Sequence, residues 1–147
     1  MKSSEGQLGR VFVIRLENGD KVPDCIEQFA AEKGIYTGHV IMVGGVDRGE
    51  IVVGPSNSKS IPPKAVSWPL DAAHEIMGLG LLAPDEGGKP MLHMHASMGR
   101  GNKTLTGCTR PGIFTWLVGE VIIYEICGTS ARRKKDKKSG FVLLEID

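Results

Sequence analysis

Met91-Leu92-His93-Met94-His95-Ala96-Ser97-Met98 is an apolar run carrying two imidazoles one residue apart. Pro90 and the Gly87-Gly88 pair punctuate it on one side and Gly99-Arg100-Gly101-Asn102 on the other, which predicts a strand. Side chains alternate across a strand, so His93 and His95 share one face while Leu92, Met94 and Ala96 share the other. Imidazoles so placed, roughly 6 to 7 Å apart along the strand, can hold one metal ion between them. The alternative is a pair of hydrogen-bonded histidines on a half-buried sheet.

The segment before this run is read as its hairpin partner. His74 to Ala83 is a second apolar run with Gly78 and Gly80 inside it, and Pro84 to Pro90 forms the connection. With Leu82 paired to Met91, Gly80 faces His93 and Gly78 faces His95, leaving open space above the imidazoles. That register brings His74 to the histidine face, whereas a slip of one residue brings Glu75 there instead. One of these two is the candidate general base.

Further out, Gly9 to Leu16 has strand composition and ends at the turn Glu17-Asn18-Gly19-Asp20. Val22, Ile26, Phe29 and Ala30 recur at helical spacing, with Pro23 in the first turn and Gly34 as terminator. Cys25 falls in this helix as a packing residue. Tyr36 to Val43, containing His39, and Val46 to Val53 are two strands separated by Gly44-Gly45. His39 is a secondary candidate for the site. Pro55 to Pro69 is expected to be a loop with Trp68 as a packing anchor, Glu120 to Cys127 and Phe141 to Ile146 are the last strands, and a basic loop lies between them. Many short strands and one helix predict an α+β fold, mainly antiparallel sheet.

At 147 residues and 41% apolar the chain suits a single domain, 1–147. Its net charge of +1 hides an asymmetry: Arg132 to Lys138 holds six basic residues and one acidic, leaving twelve basic and sixteen acidic elsewhere. No apolar run approaches the roughly 18 residues of a membrane span and no leader is evident, so a cytoplasmic protein is expected. Three cysteines without Cys-x-x-Cys spacing argue against a disulfide framework and a zinc ribbon. Gly101-Asn102-Lys103-Thr104 lacks the glycine before lysine that a phosphate-binding loop needs. A Gly-x-Ser-x-Gly elbow and a His-Glu-x-x-His helix are also absent.

The order of these features resembles the plants-and-prokaryotes-conserved (PPC) domain family. The likeness rests on a Gly-x-Val-Phe-x-x-Arg-Leu-like strand, one helix, Gly44-Gly45 as a turn, a His-Glu-Ile strand and Leu92-His93-Met94-His95-Ala96, and runs from about Leu8 to the C-terminus. It includes an arginine, Arg132 or Arg133, before the strand that follows Gly140. The resemblance implies a homotrimer, and a DNA-binding designation taken from plant relatives that carry an AT-hook. It also implies a metal between the two histidines of a His-x-His and a third histidine in a downstream Gly-Gly-His-Leu. The first two fall on His93 and His95; the third falls on Gly107-Cys108, where a cysteine stands instead. Thiolate can replace imidazole on zinc, so His93, His95 and Cys108 are the expected ligands of a divalent metal, with one position left open; the alternative is that Cys108 is only a small buried residue at the turn and the metal is lost.

Three readings follow. A DNA-associated, regulatory trimer without an AT-hook would use Arg132, Arg133, Lys134 and Lys135 for weak nucleic-acid contact, although no aromatic residue for base stacking lies in that run. A metal-dependent enzyme or small-molecule binder would use the His/His/Cys set, with Glu75 or His74 as base, and its substrate is not named by the sequence. A structural trimer would use the histidines only to knit the sheet.

Overall fold

The computed structural model describes residues 1–146; Asp147, the last residue of the expected domain, lies outside the described residues. In chain order the elements are β1 (Gln7–Glu17), β2 (Lys21–Val22), α1 (Asp24–Lys33), β3 (Gly38–Pro55), β4 (Ala65–Leu70), β5 (His74–Pro84), β6 (Pro90–Arg100), β7 (Lys103–Cys108), β8 (Ile113–Cys127), β9 (Arg132–Lys135) and β10 (Val142–Glu145). The main sheet runs β1-β8-β3-β5-β6-β7, with β2 beside β8 and β4 beside β3. Every pairing is antiparallel. β7 also returns to β3 through Val52 and Cys108, closing β3, β5, β6 and β7 into a ring. The fold is α+β, a mainly antiparallel sheet with one short helix, as the sequence predicts.

The helix forms where the apolar spacing places it, and its ends follow ordinary rules. Asp24 and Glu27 lie in the first turn and Lys33 in the last, complementing the helix dipole. Gly34 takes the left-handed conformation at φ 63°, and the Ile35 amide donates back to the Ala30 carbonyl. Val22 belongs to β2 rather than to the helix, because the chain turns at Pro23. Ile26 and Ala30 join Leu92, Met94, Met42 and Ile123 in the core. Each fully buried Ile, Leu or Met side chain is worth roughly 1.5–3 kcal/mol over exposure.

Four expectations are corrected. Gly44-Gly45 is a bulge inside one continuous strand, β3, and not a turn: Gly44 pairs with Gly119 and Gly45 with Trp116, so β8 loops out around Leu117, at φ 60°, to match. The end of the expected 55–69 loop is β4, paired with β3, and Trp68 is 51% exposed, so it anchors no core. The start of the basic run is β9, paired with β10 in a separate hairpin. The β5–β6 register is one residue from the expected one: Leu82 pairs with Leu92, and Leu81 and Leu79 face His93 and His95. Gly80 and Gly78 therefore face Met94 and Ala96 on the core side, where a Cβ on Gly80 would lie 2.8 Å from the Met94 Cβ.

Candidate metal centre and its cavity

His93 and His95 project from the same face of β6, as strand alternation requires, and their neighbours Leu92, Met94 and Ala96 are buried on the other. The two Nε2 atoms lie 3.1 Å apart, with ring planes at 78°. Cys108 is the register partner of His95 on β7, so its side chain rises on the same face. One donor atom from each of the three residues lies within 4.8 Å of the others. The last residue of β7 thus sits both at the imidazoles and at the seam where the ring closes. Gly107 permits that seam, because a Cβ there would approach the Val52 carbonyl oxygen to 2.5 Å.

β7 ends at Cys108, so the first half of β6 has no strand on that side. Other groups take up its backbone: the Leu92 amide donates to Glu27 Oε1 at 2.7 Å, and the Met94 carbonyl accepts from the Thr109 amide and hydroxyl. Burial pushes the Glu27 carboxyl above its usual range. His93 is held down to about 4, first by burial and then by the charges of Arg110 and Arg133 and by His95. It is a neutral base at physiological pH, the state in which an imidazole ligates a metal.

A cavity of about 650 Å³ opens over the three residues. Its walls are mostly apolar, from Val52 and Pro55 on β3, Ile61 before β4, and Phe141 and Leu143 at the C-terminal hairpin; Thr106 and Arg110 add polar groups beside the ligand set. Arg110 was not a site candidate in the sequence. It lies two residues beyond the end of β7, where no periodicity points to a face.

The other candidates are placed as follows. Glu75 is on the imidazole face of β5 but pairs with Gly99, well along the strand, and is outside the cavity. His74 is on the opposite face with its Nδ1 at 2.6 Å from the Ala72 carbonyl, also outside the cavity. His39 stacks on Tyr124 one strand away from β5 and does not line the cavity. Arg133 is 3% exposed and donates to the Leu81 carbonyl, so it cannot reach a nucleic-acid backbone. Arg132 and Lys134 both pair with Glu145, while Lys135 is exposed. Cys25 is half-buried, with burial first among the causes that raise its thiol to about 11, which agrees with a packing role.

The fold and this cluster together describe a small mainly antiparallel α+β protein with a three-residue donor set at a strand seam. Residues 3–127 match the model of the Plants and Prokaryotes Conserved (PCC) domain, and the chain belongs to that family. A metal-containing protein from Archaeoglobus fulgidus is 26% identical, with a TM-score of 0.84 and 99% of each chain covered. A PPC protein from Pyrococcus horikoshii is 24% identical, with a TM-score of 0.83, over 99% of this chain and 97% of that one. A Bacteroides thetaiotaomicron protein provisionally designated DNA-binding shares the fold at 18% identity and a TM-score of 0.74, with 99% of each chain covered. Comparison with curated proteins finds no match. No helix among the described residues is long and apolar enough to cross a membrane.

Proposed function

We propose that this PPC-domain protein is a homotrimer that holds a divalent metal ion, zinc by its donor set, between His93, His95 and Cys108, and binds a small molecule at that ion. The observation that carries the reading is the convergence of the three donor atoms within 4.8 Å. Two nitrogens at 2.0–2.1 Å from a tetrahedral zinc lie about 3.3 Å apart, and the Nε2 atoms stand at 3.1 Å. The donor chemistry fits: two imidazoles, one of them kept neutral, and a thiol whose deprotonation would offset part of the ionic charge. The metal-containing relative from Archaeoglobus fulgidus supports the same reading. A bound divalent ion would supply Lewis acidity towards an oxygen donor at its open position. The chain's own residues would shape the cavity, orient the ligand and exclude water. With Glu75 and His74 outside the cavity, the reading is of binding more than of catalysis.

The test is metal analysis of protein purified without a histidine tag, together with His93→Ala and Cys108→Ser. About one ion per chain in the wild type, with loss in His93→Ala and reduced retention in Cys108→Ser, is the expected result. Equal content in all three, or none in the wild type, would leave only a histidine pair joined by a hydrogen bond.

A second reading, weak association with DNA, is favoured by the designation of relatives and by exposed Lys135, Lys137 and Lys138 at the tip of the C-terminal hairpin. It is read by a salt titration of duplex binding, in which Lys135, Lys137 and Lys138 replaced together by alanine should flatten the slope by up to about 3. Absence of binding at low salt would dismiss it.

A further inference from the structure

The cavity has a marked imbalance of charge. Arg110 lines it, and Arg133 donates to the carbonyl of Leu81, the strand partner of His93. Among the described residues no aspartate or glutamate lines the cavity. Among the described residues Arg110 makes one hydrogen bond, to the Val142 carbonyl at 3.1 Å, and Arg133 one, to the Leu81 carbonyl at 2.9 Å. The Nε of each is buried without a partner. A guanidinium carries five N–H donors and is always charged, so most of the donor capacity here is unused. Glu27 is turned to the Leu92 amide and is not part of the wall.

Two cations beside a site for a third are mutually repulsive in a partly dry cavity. Cys108 bound to the ion as a thiolate would offset one charge of the set, and no carboxylate among the described residues of the wall is there to offset the rest. The rest of the wall states what else that anion carries: Val52, Pro55, Ile61, Phe141 and Leu143 offer an apolar surface that a bare inorganic ion would leave uncovered.

Resting on the reading of His93, His95 and Cys108 as a cation site, we infer that the cavity binds an organic carboxylate, its head group between Arg110 and the donor set and its apolar body against Ile61, Phe141 and Leu143. Arg110 fixes the orientation of the head by hydrogen bonds that an alcohol cannot match in charge and that an amine would oppose. Arg133 holds the potential of the pocket positive without touching the ligand.

The test is calorimetric titration of zinc-loaded protein with octanoate, octanol, octylamine and inorganic phosphate. Octanoate is expected to bind at least tenfold tighter than octanol, with octylamine and phosphate weaker still. Arg110→Gln should shrink the preference for octanoate over octanol, Arg110→Lys should restore part of the difference, and Phe141→Ala should weaken octanoate and octanol alike. Circular dichroism and metal content of each variant separate loss of the head-group contact from loss of the fold or the ion. Equal affinity for octanoate and octanol in the wild type, phosphate binding as tightly as octanoate, or an undiminished preference in Arg110→Gln would overturn the proposal. A preference for octanoate that persists in chelated protein supports the carboxylate site, while the ion analysis decides the metal site separately.

Discussion

Glu125 points inward at the end of β8 and is 8% exposed, a position where a lone carboxylate would be costly. Arg10 meets it with a fork: Nε to Oε2 and Nη2 to Oε1, both at 2.7 Å, and the Arg10 amide adds a third bond at 2.9 Å. These bonds hold the Glu125 carboxyl down to about 2. A carboxyl depressed in the folded state contributes stability that is present above its unfolded value of about 4.5 and is lost as pH falls towards 2. His93, also depressed, acts in the same direction but higher, between about 6.5 and 4. Urea midpoints of metal-free protein should therefore fall in two stages on acidification. Arg10→Met leaves the Glu125 carboxylate only the backbone amide of that position as a partner, so it should lower the midpoint at pH 7 and shrink the lower stage. At this scale the sequence was readable where alternation governs, as for His93 and His95. Cys108 emerged only through family resemblance, and Arg133 was grouped with its neighbours as a nucleic-acid contact because a basic run does not reveal which member turns inward.

Strands and the helix were legible from punctuation and period, yet strand pairing was not. The expected register set Gly78 and Gly80 against the imidazoles as room for a ligand; the observed one sets them against Met94 and Ala96 as room for core side chains. A one-residue slip separates those meanings, and no turn signal in the long Pro84–Pro90 connection could have fixed it. Gly44-Gly45 looked like a turn for a similar reason, since the matching distortion at Leu117 lies more than seventy residues away. Gly107 offers a sharper test. In Gly107→Ala the added methyl meets the Val52 carbonyl, so β7 must move away from β3. A thermal midpoint lowered by several degrees is expected, with at least tenfold weaker zinc affinity because Cys108 moves with the strand, both read by calorimetry. Gly78→Ala meets chiefly the flexible end of Met94, 3.0 Å away, and should lose less stability without changing zinc affinity.

Across the whole sheet, pairing aligns Val13, Ile122, Ile41, Leu79, His95 and Cys108 in one row on the outer face. Val13, Leu79 and the adjacent Met77 are 82%, 56% and 66% exposed, an apolar surface of the kind that marks an association site. In the homotrimer proposed above this face would be covered by neighbouring copies. Met77→Glu with Leu79→Glu should therefore drop the molar mass measured by light scattering to that of one chain; an unchanged mass would place the contact elsewhere. The ring formed by β3, β5, β6 and β7 has a further consequence. It is joined at a single pair, Val52 with Cys108, and the residue on one side of that joint is also a donor to the proposed ion. A cation there would act as a rivet at the single-pair joint of that ring, so deuterium uptake at the Val52 and Cys108 amides should accelerate on chelation while the α1 amides keep their protection.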